Sequence, residues 1–165
     1  MGGLDLASST NKKIVIRRFE REPLPGFVNP QAYLRAEGLE VLSPSGEVLM
    51  VPYEDVKAVY FVRDFDSIEP GAEHRVFNTR PKTNGVWVRM RFRDGELMDG
   101  ILANNLLLLE PYGFTVVPPS PTSSNQRVFV PRAALADVQV LGVVGSPLRP
   151  AKPKPKPKDQ IELFE

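Results

Sequence analysis

Two groups of side chains in this sequence have types and spacing suited to chemistry, and in both cases the chemistry is binding. Near its end, Gln160-Ile161-Glu162-Leu163-Phe164 follows the run Lys152-Pro153-Lys154-Pro155-Lys156-Pro157-Lys158. A lysine-proline stretch has no means of burying apolar surface, so Leu163 and Phe164 stand exposed unless something covers them. Covering a side chain of that size is worth about 1.5–3 kcal/mol. The cover is either a partner protein or, as the plainer alternative, this protein's own body closing over Ile161, Leu163 and Phe164. The second group is Arg17, Arg18 and Arg21, with Ser43-x-x-Gly46 on a later turn. Guanidinium forks clamp phosphates and planar bases, but the same arginines fit the edge of an alternating strand, which is the favoured reading. Lys152, Lys154, Lys156 and Lys158 add a salt-sensitive attraction to phosphate if nucleic acid is near. A solubilising spacer explains them more simply.

Catalysis finds no footing. His74 is the one histidine and falls in a charged connecting stretch. No serine sits in a nucleophile elbow, no glycine-rich phosphate loop occurs, and no carboxylates have metal spacing. Cysteine is absent, which excludes disulfides, thiolate chemistry and cysteine-ligated zinc. The expectation is a non-enzyme with no catalytic residue, no metal and no cofactor. A net charge of +1 gives no global drive toward nucleic acid or anionic membrane. The apolar runs, such as Leu106 to Leu109, are too short to span a bilayer. Met1 to Asn11 is small and polar, a frayed start rather than a leader, so a cytoplasmic, soluble protein is expected.

The elements that position these groups come twice. Gly38-Leu39-Glu40-Val41-Leu42-Ser43-Pro44 is answered by Gly113-Phe114-Thr115-Val116-Val117-Pro118-Pro119. Val51-Pro52-Tyr53-Glu54-Asp55-Val56-Lys57-Ala58-Val59-Tyr60-Phe61-Val62 is answered by Val130-Pro131-Arg132-Ala133-Ala134-Leu135-Ala136-Asp137-Val138-Gln139-Val140-Leu141. Arg18-Phe19 followed by Gly26 matches Arg91-Phe92 followed by Gly100, with one residue fewer in the first copy. Apolar positions recur while charges drift, so a fold unit repeats.

Alternation and β-branching predict strands at Lys12 to Phe19, Glu22 to Val28 (bent at Gly26), Gly38 to Ser43, Val48 to Val51 and Lys57 to Val62. The second copy gives Trp87 to Arg93, a turn at Asp94-Gly95, Glu96 to Leu102, Gly113 to Val117, Arg127 to Val130 and Asp137 to Leu141. Leu106 to Glu110 extends a strand or begins another, and Val76-Phe77 reads as a short edge strand. Pro52 and Pro131 lack the donor a ladder needs, so one helical turn is expected after each, before the last strand of each copy. Trp87, Phe92 and Phe114 are expected in the core, and Asn104-Asn105 and Asn29-Pro30-Gln31 in turns.

These phrases resemble known families. Val88-Arg89-Met90-Arg91-Phe92-Arg93-Asp94-Gly95-Glu96-Leu97-Met98-Asp99-Gly100-Ile101-Leu102 resembles the first half of an Sm-like domain. The Val-Pro-x-x-x-aliphatic step resembles the turn before the last strand of SH3-like barrels. The folded part as a whole is similar to an uncharacterised bacterial family of tandem β-barrel domains, a resemblance that implies no activity. The expected architecture is therefore all-β: two small five-stranded SH3-like or Sm-like barrels, residues 12–62 and 86–145, joined by 63–85 and followed by a disordered tail, 146–165.

Gln160-Ile161-Glu162-Leu163-Phe164 resembles the pentapeptide by which bacterial proteins bind the DNA polymerase sliding clamp. The resemblance implies that Gln160 is the polar anchor, that Ile161 takes the first aliphatic place, and that Leu163 and Phe164 fill the apolar pocket. Ile161 and Glu162 depart mildly from the commonest residues there. The Arg17-Arg18-x-x-Arg21 and Ser43-x-x-Gly46 pair faintly resembles the cyclic-dinucleotide site of PilZ barrels, but Val41 stands where that family has an acidic or amide residue. The expected partner is thus a protein bound through the tail, the sliding clamp. Nucleic acid or a cyclic dinucleotide bound at the barrel loops is the alternative, and no membrane is expected.

Overall fold

A computed structural model describes residues 11–65, 76–119 and 127–145. Among these, the chain forms eleven strands and no α-helix. The first half contains β1 (Lys12–Arg18), β2 (Arg21–Val28), β3 (Leu34–Arg35), β4 (Gly38–Leu42), β5 (Val48–Val51) and β6 (Ala58–Phe61). The second contains β7 (Gly85–Phe92), β8 (Leu97–Leu102), β9 (Gly113–Val116), β10 (Arg127–Pro131) and β11 (Leu135–Val144). Apart from the two-residue β3, which the sequence pattern does not reveal, each half runs through the same five strands in the same order.

Both prolines act as their chemistry requires. Pro52 and Pro131 hold φ at −63° and −72°, and each is followed by a single 3-10 turn, Tyr53–Asp55 and Arg132–Ala134. The residue after each turn, Val56 or Leu135, donates its N–H to the first carbonyl of the turn and returns the chain to extended backbone, two residues ahead of β6 in the first half and as the first residue of β11 in the second. Proline's fixed φ and missing donor stop the ladder at the same place in both halves.

The pairings also repeat. Within each half the first strand pairs with the second and with the last, all antiparallel: β1 with β2 and β6, and β7 with β8 and β11. The ladders set Ile16 opposite Val59 and Met90 opposite Val138, which makes Ile16 and Met90 equivalent; the register shift between Ile16 and Arg18 adds a residue to the first copy, and the hairpin tip after Phe19 is one residue shorter in compensation. Gly26 and Gly100 occupy equivalent bends. A Cβ at either would come 2.5 Å from a methyl of Val41 or of Val116, its counterpart, so neither strand could approach with a side chain there. Gly100→Ala should therefore cost about 1–3 kcal/mol through overpacking. Adding Val116→Ala should recover part of that loss, because neighbouring sites couple. Urea unfolding of the single and double variants checks both.

What joins the halves is a ladder between them. β6 pairs with β10, setting Val59 opposite Phe129, Tyr60 opposite Val128 and Phe61 opposite Arg127. The result is a curled, eight-stranded sheet in the order β3-β4-β2-β1-β6-β10-β9, with β5 on the outer side of β4. A three-stranded sheet, β11-β7-β8, folds against it, and the bridge between Ile101 and Val117 links the two. Side chains on a strand alternate between faces, so the β6–β10 ribbon feeds two cores. Val59 and Phe129 enter the first core with Ile14, Ile16, Leu39 and Val41. Ala58, Tyr60, Val128 and Val130 enter the second with Val88, Met90, Phe92 and Val116. Each half thus buries side chains supplied by the other.

Three expectations need correction. Leu106 to Glu110 is no strand: Leu106–Leu108 is a 3-10 turn, because Asn105 Oδ1 accepts the Leu107 N–H at 3.0 Å and closes the backbone locally. Val76-Phe77 is not an edge strand either, since the Phe77 N–H is given to a carboxylate rather than a ladder. Phe92 is fully buried and Phe114 packs against the same core, but Trp87 is only half-buried. No helix among the described residues is long and apolar enough to cross a membrane.

Candidate functional site

The arginines surround the first hairpin. Arg18 and Arg21 face one another across its tip, where Glu20 turns the chain at φ 56°. Arg18 is committed to that turn: its Nε and Nη2 donate to the Glu22 carbonyl at 3.0 and 2.7 Å. Arg17 lies one position before it, opposite Ala58, and its carbonyl accepts the Lys57 N–H at 2.8 Å. Arg21 is exposed.

Ser43 closes a separate turn, accepting the Gly46 N–H on its carbonyl and the Glu47 N–H on its hydroxyl. Leu42, beside Ser43, lies opposite Phe27 at the far end of β2 from Arg21. At a strand rise of about 3.3 Å per residue, that separation is about 20 Å. The structure does not bring the arginines and the Ser43-x-x-Gly46 turn together, and Val41 is a core residue, 1% exposed. Gln160, Ile161, Leu163, Phe164, Lys152, Lys154, Lys156, Lys158 and His74 lie outside the described residues.

Two polar centres that the sequence reading passed over are built inside the body. The first is Lys57, a buried cation at the end of the first 3-10 turn. Its Nζ donates to Asp94 Oδ2 at 2.8 Å and to Glu96 Oε1, and it sits 5.0 and 5.4 Å from the ring centres of Phe92 and Phe19. Arg93 covers Phe19 from 4.0 Å and donates to the carbonyls of Ala133 and Glu54 at 2.8 and 3.0 Å. The Asp94-Gly95 hairpin of the second half is thereby fastened to the first. Burial pushes the Asp94 carboxyl up, but the bond from Lys57 and the Glu96 N–H outweigh it and hold it below the usual carboxylate range.

The second centre is Asp99, with no exposed surface. Arg89 lies directly opposite on β7 and forks onto it, Nε to Oδ1 at 2.6 Å and Nη2 to Oδ2 at 2.9 Å. The Trp87 indole and the Phe77 N–H each donate to Oδ2 at 3.0 Å. Burial would raise the Asp99 carboxyl, yet these donors hold it below its ordinary range. The sequence signal was misleading: a two-residue Asp94-Gly95 turn would pair Asp99 with Met90, but the hairpin loops through Arg93-Asp94-Gly95, with the Phe92 N–H given to the Glu96 carbonyl, and so sets Asp99 opposite Arg89. With its oxygens occupied by four donors, this carboxylate organises β7, β8 and the incoming segment rather than meeting a substrate.

The surface carries apolar features. Leu106, Leu107 and Leu108 on the 3-10 turn after β8, and Leu109 just past it, stand 80, 91, 62 and 43% exposed. Val48 and Met50 on β5, and Val140 and Val143 on β11, are also exposed. A groove of about 230 Å³ lies beside β4, lined by Phe27, Tyr33, Leu42 and Val48, with the Arg35–Glu40 ion pair (2.8 Å) on its wall.

No curated protein and no solved structure matches the chain. A family of unknown function, DUF6982, matches residues 10–142, which run from just before β1 almost to the end of β11. The repeated halves and the ladder that fuses them fall within that match, and the chain belongs to this family.

Proposed function

We propose that this protein is a non-enzymatic bacterial adaptor. Its β-rich body is a rigid platform of two SH3-like or Sm-like barrels fused along β6–β10, and the segment after β11 docks on a partner, the DNA polymerase sliding clamp. The observation that carries the reading is the sequence Gln160-Ile161-Glu162-Leu163-Phe164 at the end of a lysine-proline spacer. Gln160 anchors, and Leu163 and Phe164 enter an apolar pocket, with Ile161 beside them. The pairing of first with last strand in each half supports the barrel reading. The polar centres support a binding role over a catalytic one, because the charged ends of Lys57 and Asp99 are spent on neighbours within the body.

A purified sliding clamp titrated with labelled full chain tests the proposal. Leu163→Ala with Phe164→Ala, or removal of residues 160–165, should weaken binding at least about tenfold, the effect of losing two buried anchors. The thermal midpoint of the body should not move. Equal binding by the truncated chain overturns the proposal. Binding to single-stranded nucleic acid or a cyclic dinucleotide that persists without the tail and requires Arg17 and Arg21 would put the alternative in its place.

A further inference from the structure

The ladder that fuses the halves has a second set of matching edges. It joins the last strand of the first half, β6, to the fourth strand of the second, β10. The equivalent strands in the opposite combination are β11, last of the second half, and β5, fourth of the first. Among the described residues, β11 pairs only with β7 and β5 only with β4. Among the described residues each therefore keeps one open edge, the same edge that is used inside the chain.

The side chains at these edges are those of an interface. Val48-Leu49-Met50-Val51 and Val138-Gln139-Val140-Leu141 contain no charge and no proline. Solvent-facing edge strands are ordinarily blunted by lysine, proline or a bulge; β11 shifts register against β7 between Leu135 and Asp137 and between Val140 and Gly142, and the stretch from Val138 to Val140 between those shifts pairs regularly. Here Val48 and Val140 are each 67% exposed and Met50 is 46% exposed. In the internal ladder the counterparts of Met50 and Val138, Phe129 and Val59, are fully buried. Transferring the internal register onto the open edges sets Val138 opposite Met50, Gln139 opposite Leu49 and Val140 opposite Val48. The two most exposed valines then meet as a cross-strand pair. Arg80 takes the Val143 carbonyl at 2.8 Å, beyond the stretch that this register uses.

We infer that β11 of one molecule pairs antiparallel with β5 of a second copy of this chain, repeating between molecules the junction that β6 and β10 make within one. The contact is head-to-tail: it uses a different edge on each partner, so it closes into a ring where the rotation permits and otherwise continues.

Sedimentation and light scattering of the full chain test this from about 1 to 100 µM. The wild type should show species above the 18.4 kDa of one chain. Val140→Lys and Val48→Lys each place a charge at an exposed position of one edge, and each alone should be a folded monomer with an unchanged thermal midpoint. Mixed in equal amounts, they should form a dimer and nothing larger, because Val140→Lys keeps an intact β5 and Val48→Lys an intact β11. A monomeric wild type across the range, association that survives either substitution, or a mixture that stays monomeric would overturn the inference. The tail plays no part, so removing residues 160–165 should leave the assembly unchanged whether or not the clamp is bound.

Discussion

Phe129→Ala should remove about 3–5 kcal/mol of stability, and both halves of the chain should lose it together. The size follows from deleting a fully buried aromatic ring from a packed core. Against a usual total of about 5–15 kcal/mol, that is a large share. The location makes the result informative. Phe129 belongs to the second half by sequence but sits in the first core, edge-on to Tyr33 with ring centres 6.1 Å apart. The single tryptophan, Trp87, lies in the second half and reports on it. Denaturant unfolding followed by Trp87 fluorescence and by far-UV circular dichroism should give coincident curves, both shifted to lower midpoint. A Trp87 transition that stayed at the wild-type midpoint while the other fell would show halves that unfold separately. The shared ribbon would then be no more than a contact.

Arg89→Ala should cost about 3 kcal/mol at neutral pH, more than Asp99→Asn. Removing one partner of a buried pair leaves the other charge stranded, typically at about 3–5 kcal/mol. Asp99 has no exposure, whereas the Arg89 side chain is one-third open to water. The stranded group in Arg89→Ala is therefore the costly one. The lower figure in that range applies because water can follow the departing guanidinium. Asp99→Asn keeps a hydrogen-bonding side chain in place and should cost about 1–3 kcal/mol.

The pH dependence separates the two effects. In the wild type the Asp99 carboxyl titrates below its unfolded value of about 3.9. Its contribution is thus present above that value and is lost as pH falls through the folded one. In Arg89→Ala, burial acts against fewer donors and raises the folded value. Protonation then relieves the variant, and its deficit against wild type should shrink between pH 7 and pH 4. Urea midpoints across that range measure it. A deficit that is flat with pH would show that the loss is packing rather than charge.

Much of the fold was legible because its signals are local. Strand alternation, the Asp94-Gly95 turn and the prolines at 52 and 131 each act over a few residues, and each gave its element close to the right place. The repeat added a second reading of every strand except β3, which has no counterpart. The β6–β10 ladder was not legible, because Val59 and Phe129 carry the apolar pattern of any core strand and nothing in that pattern names a partner edge. Asp99 and Lys57 were passed over for a related reason: a charge on a strand reads as a solvated face until the residue opposite it is known. The leucines at 106–109 form an apolar run too short to show a period, and Asn105 decided their conformation. Of the candidate site, the arginines proved to be divided between a hairpin tip and a strand. The Gln160–Phe164 reading rests on the sequence itself.

Phe129 is synthesised long after the strands whose core it fills. Proteins made on the ribosome ordinarily fold from the N-terminal unit onward, at about 5–20 residues per second of synthesis. β1 to β6 emerge early with their local pairings complete, but the core they enclose lacks its aromatic plug until β10 arrives. For the several seconds that this separation represents, the first half must wait with the outer edge of β6 unoccupied. Its final packing is a late, long-range event, and the N-terminal half finishes only when its neighbour does.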